Sequence, residues 1–105
     1  MTGVKFLTEN GLLCGFSVQG HSSVNCDDEQ GKLVCAAVSS AAYLTANTIT
    51  EVIKDNAQIE VDEAKMYVFV KNPKNETVLA LKGLKLHLTE LAKEYKGNIK
   101  IYSEV

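Results

Sequence analysis

Hydrophobic and polar positions alternate at the start of the chain. In VKFLT (4–8), Val4 and Phe6 share one face against Lys5 and Leu7, the period of a half-buried strand. ENG (9–11) follows, and Asn10-Gly11 accepts the positive φ values of a tight hairpin turn. LLCGFSVQ (12–19) then places Leu12, Cys14, Phe16 and Val18 on one side. A polar, glycine-bounded loop covers 20–32. From Leu33 to Lys54 the period changes. Val34, Val38, Ala41, Thr45, Ile49 and Val52 recur every three to four residues, which predicts a helix with Asp55-Asn56 as its stop. AQIEVDEAKMYVFVKN (57–72) reads as a second hairpin, with Met66, Val68 and Val70 on one face. A second helix follows the single proline, Pro73. Asn75 is its predicted N-cap, Leu81, Leu84, Leu88, Leu91 and Tyr95 its buried stripe, and Gly97 its C′ residue. NIKIYSE (98–104) closes the chain as a strand.

The order β-β-α-β-β-α-β predicts an α+β fold. It is a two-layer sandwich, with two helices packed on one face of a mostly antiparallel five-stranded sheet. At 105 residues, the chain fits a single domain spanning 1–105. Its net charge of −2 offers no basic surface for direct nucleic-acid binding. No apolar run approaches the roughly 20 residues of a membrane span. The opening MTGVKFLTENG lacks the charged and apolar regions of a signal peptide, so a cytoplasmic protein is expected. Three cysteines argue against a disulfide framework, and reduced thiols are the expectation. Cys14 lies on an apolar strand face and reads as structural. His87, away from the leucine stripe, reads as solvent-facing. No phosphate-binding glycine loop or other cofactor motif is present.

The candidate chemistry lies in GHSSVNCDDEQGKLVCAAVSS (20–40). Cys35 is expected in the first turn of the first helix. Free N–H groups and the dipole there favour a thiolate and could hold an oxyanion. Lys32 adds a positive charge nearby. His21 follows Gly20 at the mouth of the second strand and is a candidate base. Spacing alone leaves plainer readings open. A cysteine among Ala and Val is a small buried hydrophobe, and a histidine beside a glycine is a surface residue.

GH at 20–21, a polar loop, and LVCAAVSS at 33–40 together resemble the ribosomal-processing cysteine protease (Prp) family. That family's pattern is Gly-His, a glycine-rich loop, then Asp-Ile-Val-Cys-Ala-Ala-Val-Ser opening a long helix. The resemblance implies a Cys–His endopeptidase, usually a homodimer, that removes a short N-terminal extension from the large-subunit ribosomal protein L-twenty-seven, beside an aromatic pair. It implies Cys35 as nucleophile and His21 as base, and matches Ser39 to the serine of the helix motif. Gly20 would give the sharp exit that aims His21. Lys32 stands where the family has Asp, Leu33 stands at the Ile position, and the loop carries Cys26, Asp27, Asp28 and Glu29 in place of several glycines. Phe16, Tyr43 and Tyr67 are candidates for an apolar slot. The alternatives are a non-catalytic ribosome-assembly binding module, a thiol redox site joining Cys26 and Cys35, and a metal site on His21, Cys26, Cys35 and one of Asp27 or Asp28. The last matches no paired C-x-x-C spacing.

Overall fold

The computed structural model describes residues 1–20, 29–63 and 65–104. Five strands form one sheet: β1 (Thr2–Glu9), β2 (Leu12–Gln19), β3 (Gln58–Val61), β4 (Lys65–Phe69) and β5 (Ile99–Glu104). The two helices are α1 (Glu29–Asn47) and α2 (Asn75–Glu94). The strand order is β3-β4-β2-β1-β5. All neighbours are antiparallel except β1 and β5, which run parallel with Thr2 opposite Ile99. The α+β sandwich expected from the sequence is therefore the fold.

Alternation makes the core. Val4 and Phe6 of β1, Phe16 and Val18 of β2, Met66 and Val68 of β4, and Ile99 of β5 turn one sheet face toward the helices. Val34, Val38, Ala42 and Ile49 from the first helical stretch and Leu81, Leu84 and Leu88 from α2 complete the cluster. Asn10 and Gly11 have φ values of 54° and 78°, the left-handed pair that a tight hairpin requires.

Several local expectations change. The β1–β2 register slips between Leu7 and Thr8, so that Leu7 faces Gly15 and Thr8 faces Leu13. Cys14 is thus the extra residue of a β-bulge, and Leu12 is exposed instead of joining Phe16 and Val18. The first helix does not begin at Leu33; α1 already includes Glu29. At its other end the coil widens into a π-helical segment, Thr48–Ile53, capped by Lys54 in the left-handed conformation. Thr45, Thr48 and Thr50 each donate a hydroxyl hydrogen bond to the carbonyl four residues earlier, a competition with the backbone ladder that bends helices. The wider turn breaks the helical period, and Val52 points to solvent at 76% exposure. Helical residues Glu29–Ile53 are together long and apolar enough to cross a bilayer by length and composition. Here Val34, Val38, Ala42, Ala46 and Ile49 join the core, while Leu33, Leu44 and Val52 are exposed.

Asn75 is not the N-cap of α2. Lys74 holds that place with no side-chain cap of its own. Asp55, distant in sequence, supplies the cap. Its carboxylate accepts the Lys74 N–H at 2.9 Å and the Thr77 hydroxyl at 2.7 Å. Burial pushes the Asp55 carboxyl up. Hydrogen bonds from Lys74, Thr77 and Asn56, with the Lys74 charge, outweigh it and hold the group below its ordinary value. Gly97 has a φ of 91°, but Tyr95 is the C-cap, so Lys96 holds the C′ place and the glycine turns the chain toward β5 one residue later.

Candidate active site

The Cys35 side chain turns inward from α1 and is 8% exposed. Because α1 includes Glu29, Cys35 lies in at least the second turn of the helix, not the first. A helix leaves only its first four N–H groups without intrahelical partners. The Cys35 amide is past them, so an oxyanion site built from the amides of the helix start does not coincide with the nucleophile candidate. The dipole, which acts mostly within the first turn, is correspondingly weaker at this sulfur. Lys32 lies one turn earlier and is exposed, where water and salt screen its charge.

Across from the sulfur stands β1. The Thr2 Oγ1 is 3.4 Å from Cys35 Sγ, and Thr2 is 1% exposed. Nothing in the sequence motif marks this threonine. The inward alternation of Val4 and Phe6, carried back by two residues, would have found it. Two further hydrogen bonds tie the same corner together. The Thr2 N–H donates to the Asn98 carbonyl at 2.8 Å, and Gln30 Nε2 donates to Asn98 Oδ1 at 3.1 Å. The start of β5 thus anchors both β1 and the first turn of α1.

The Cys35 sulfur is engaged in a disulfide, contrary to the expectation of reduced thiols throughout; its partner lies outside the described residues. Cys14 is free and buried. Burial, then the Glu9 charge, pushes its thiol up, as suits an inert structural cysteine. Gly20 adopts a φ of 75°, and a Cβ there would lie 2.7 Å from the Met1 carbonyl oxygen. The position therefore needs glycine for its backbone and for the space. His21, Cys26, Asp27 and Asp28 lie outside the described residues. Ser39 follows Cys35 by one turn and is half-buried. Among the described residues no group of three His, Cys, Asp or Glu side chains could hold a metal ion.

None of the three aromatic residues considered for an apolar slot lines a depression at the start of α1. Phe16 is fully buried in the core. Tyr43 is exposed on α1, and Tyr67 lines a depression with Glu60, Val61, Asp62 and Lys65 at the far side of the sheet. Among the described residues, an open depression of about 510 Å³ is lined by Glu29, Gln30, Lys32, Leu33 and Ala36 of α1 with Tyr95; Cys35 is not in its lining. Leu33 is 63% exposed there. His87 is exposed on α2, as its place off the leucine stripe requires.

Cys35 thus faces inward near the start of a long helix that belongs to an α+β sandwich with a mixed sheet. The model of the cysteine protease Prp family matches residues 1–100, and the chain belongs to that family of cysteine proteases. No curated protein matches the sequence. Among solved structures, the ribosomal processing protease Prp of S. aureus in complex with a substrate peptide superposes with a TM-score of 0.89 at 19% identity, covering 99% of this chain and 100% of the other. The same S. aureus protease with a covalently linked product peptide gives 0.82 at 21% identity, with the same coverage. SMU.848 from Streptococcus mutans gives 0.85 at 21% identity, covering 99% of both chains. At these identities the superpositions speak for the fold.

Proposed function

We propose that this protein is an endopeptidase that removes a short N-terminal extension from a ribosomal protein of the L-twenty-seven type, with Cys35 as nucleophile and His21 as base. The observation that carries the reading is the placement of Cys35. In a chain of the cysteine protease Prp family, its sulfur sits sheltered at the α1–β1 corner, 3.4 Å from the Thr2 hydroxyl. The related protein from S. aureus binds a substrate peptide and holds a product peptide covalently, which supports acyl transfer to a sulfur. The reduced Cys35 thiolate attacks a backbone carbonyl carbon and forms a tetrahedral oxyanion. Collapse breaks the C–N bond, and His21 protonates the leaving amine. Water then hydrolyses the thioester, with His21 accepting its proton. Leu33, Ala36 and Tyr95 offer apolar surface to a substrate side chain. This role assigns the protein to the cytoplasm, as a homodimer acting on a peptide without touching nucleic acid.

The test is cleavage. The reduced protein is mixed with synthetic peptides that carry the sequences of extended ribosomal N-termini, and products are followed by mass spectrometry. Wild type cleaves; Cys35→Ala does not, and His21→Ala loses at least about a hundredfold, the lower range of general-base contributions. Wild type that cleaves none of these peptides rejects the reading.

The disulfide at Cys35 favours a second reading, thiol redox control using Cys26 and Cys35. A low-molecular-weight disulfide would be the oxidant. The Cys35 thiolate attacks it and releases one thiol; the Cys26 thiolate then attacks the Cys35 sulfur and releases the second. The protein loses two hydrogens, and the small disulfide becomes two thiols. Metal ligation has no comparable observation behind it.

A further inference from the structure

We propose that the Thr2 hydroxyl supports the reacting sulfur: it donates a hydrogen bond to Cys35 Sγ that orients the side chain toward β1 and favours the thiolate. The inference rests on reading Cys35 as the nucleophile and adds a residue that the Cys–His pattern does not contain.

The direction of the bond follows from chemistry. A disulfide sulfur carries no hydrogen, and neither does a thiolate. In both states the hydroxyl is the only possible donor, and the 3.4 Å separation is that of the disulfide-bonded form. Thr2 is 1% exposed, so water competes little for that proton. Its β-branched side chain is stiff at χ1, so little rotamer freedom is lost in aiming it. The backbone is equally fixed, through the Thr2 N–H on the Asn98 carbonyl and the Asn98 side chain on Gln30. These bonds set the spacing of β1, β5 and α1, and hence of hydroxyl and sulfur.

The second-turn position of Cys35 gives the contact its importance. With the free helix amides and most of the dipole's effect lying one turn earlier, a neutral donor from the neighbouring strand is a substitute source of thiolate stabilisation. Among the described residues, the charged or titratable groups near this corner include Glu29 and Lys32 on α1, the Met1 amino group beside Thr2, and Tyr95 beyond α2; Lys5 and Lys100 line a separate depression with Gly3, Ser17 and Tyr102. A Thr2 substitution changes none of their charges, so its effect on the sulfur can be separated from theirs.

The experiment measures the alkylation rate of Cys35 by iodoacetamide as a function of pH in the reduced protein. The modified peptide is identified by mass spectrometry. Buried Cys14, whose thiol is pushed up, is the internal reference. Wild type should titrate below the ordinary thiol value of about 8.5. Thr2→Val should raise the Cys35 midpoint by about one unit, close to tenfold less thiolate at neutral pH. Thr2→Ser restores the hydroxyl and should return the midpoint to within a few tenths of wild type. Equal midpoints in wild type and Thr2→Val, or Thr2→Ser behaving as Thr2→Val, would overturn the proposal. If Thr2→Val does not fold, a wild-type midpoint at or above the ordinary value overturns it as well. Peptide cleavage on the same samples separates the two ideas. A lowered midpoint that rises in Thr2→Val, with no cleavage by wild type, counts against the peptidase alone; equal midpoints with cleavage intact count against Thr2 alone.

Discussion

Replacing Gly20 by alanine should damage the protein more than the same change at Gly11, and the difference has one physical origin. Both glycines have φ in the left-handed region, 75° and 78°. Holding alanine in that conformation costs roughly 1–2 kcal/mol. Reduced freedom of the unfolded chain lowers the penalty little where the native backbone is incompatible with the new side chain. At Gly11 a Cβ meets nothing within 4 Å, so Gly11→Ala should cost about 1 kcal/mol. At Gly20 the new Cβ falls 2.7 Å from the Met1 carbonyl oxygen. A backbone atom cannot swing aside, so the start of β1 must move, at an added cost of about 1–3 kcal/mol typical of overpacking. The total for Gly20→Ala is about 2–5 kcal/mol, out of the roughly 5–15 kcal/mol of a small domain. The displaced residue adjoins Thr2, and Thr2 contacts Cys35, so peptide cleavage should fall further in Gly20→Ala than in Gly11→Ala. Urea denaturation under reducing conditions gives the stabilities, and the cleavage assay the activities. If the two variants lose the same stability to within about 0.5 kcal/mol, the clash with Met1 is not a term in the fold and the reasoning fails.

Asp55→Ala should remove the cap that α2 borrows from the end of the first helical stretch, costing about 1 kcal/mol at pH 7. The folded carboxyl lies below its ordinary value. Its contribution is therefore complete above about pH 4, the unfolded value, and disappears as pH falls through the lower folded one. Wild type and variant should accordingly converge in thermal melts on the acid side of pH 4, and a constant gap down to pH 2 would refute the cap. Because the Cys35 sulfur is held in a disulfide, cleavage should require a reductant, and Cys26→Ser should abolish that requirement. Full activity of the oxidised wild type would exclude Cys35 as nucleophile.

Period and turn chemistry made much of this protein legible. Asn10-Gly11, the alternation of Val4 with Phe6 and of Met66 with Val68, and the leucine stripe of α2 each predict a local geometry that the fold contains. They could be read because a strand repeats every two residues and a helix about every 3.6, whatever surrounds them. Residues 20–40 likewise carried the family in their own letters. Local signals were silent on what depends on distant partners. The bulge at Cys14 exposes Leu12, and the π-helical segment exposes Val52; both are departures from regular backbone hydrogen bonding that hydropathy does not encode. Asp55 caps a helix that begins twenty residues later, and no local rule reaches that far. The same holds at the site. The motif names Cys35, but only packing of β1 against α1 puts a threonine hydroxyl on its sulfur, and only the full extent of the helix puts that sulfur beyond the first turn. Sequence determined which elements form and which face of each is apolar, since those are properties of neighbouring residues. Tertiary structure decided what touches the thiol, since that depends on how separate elements meet.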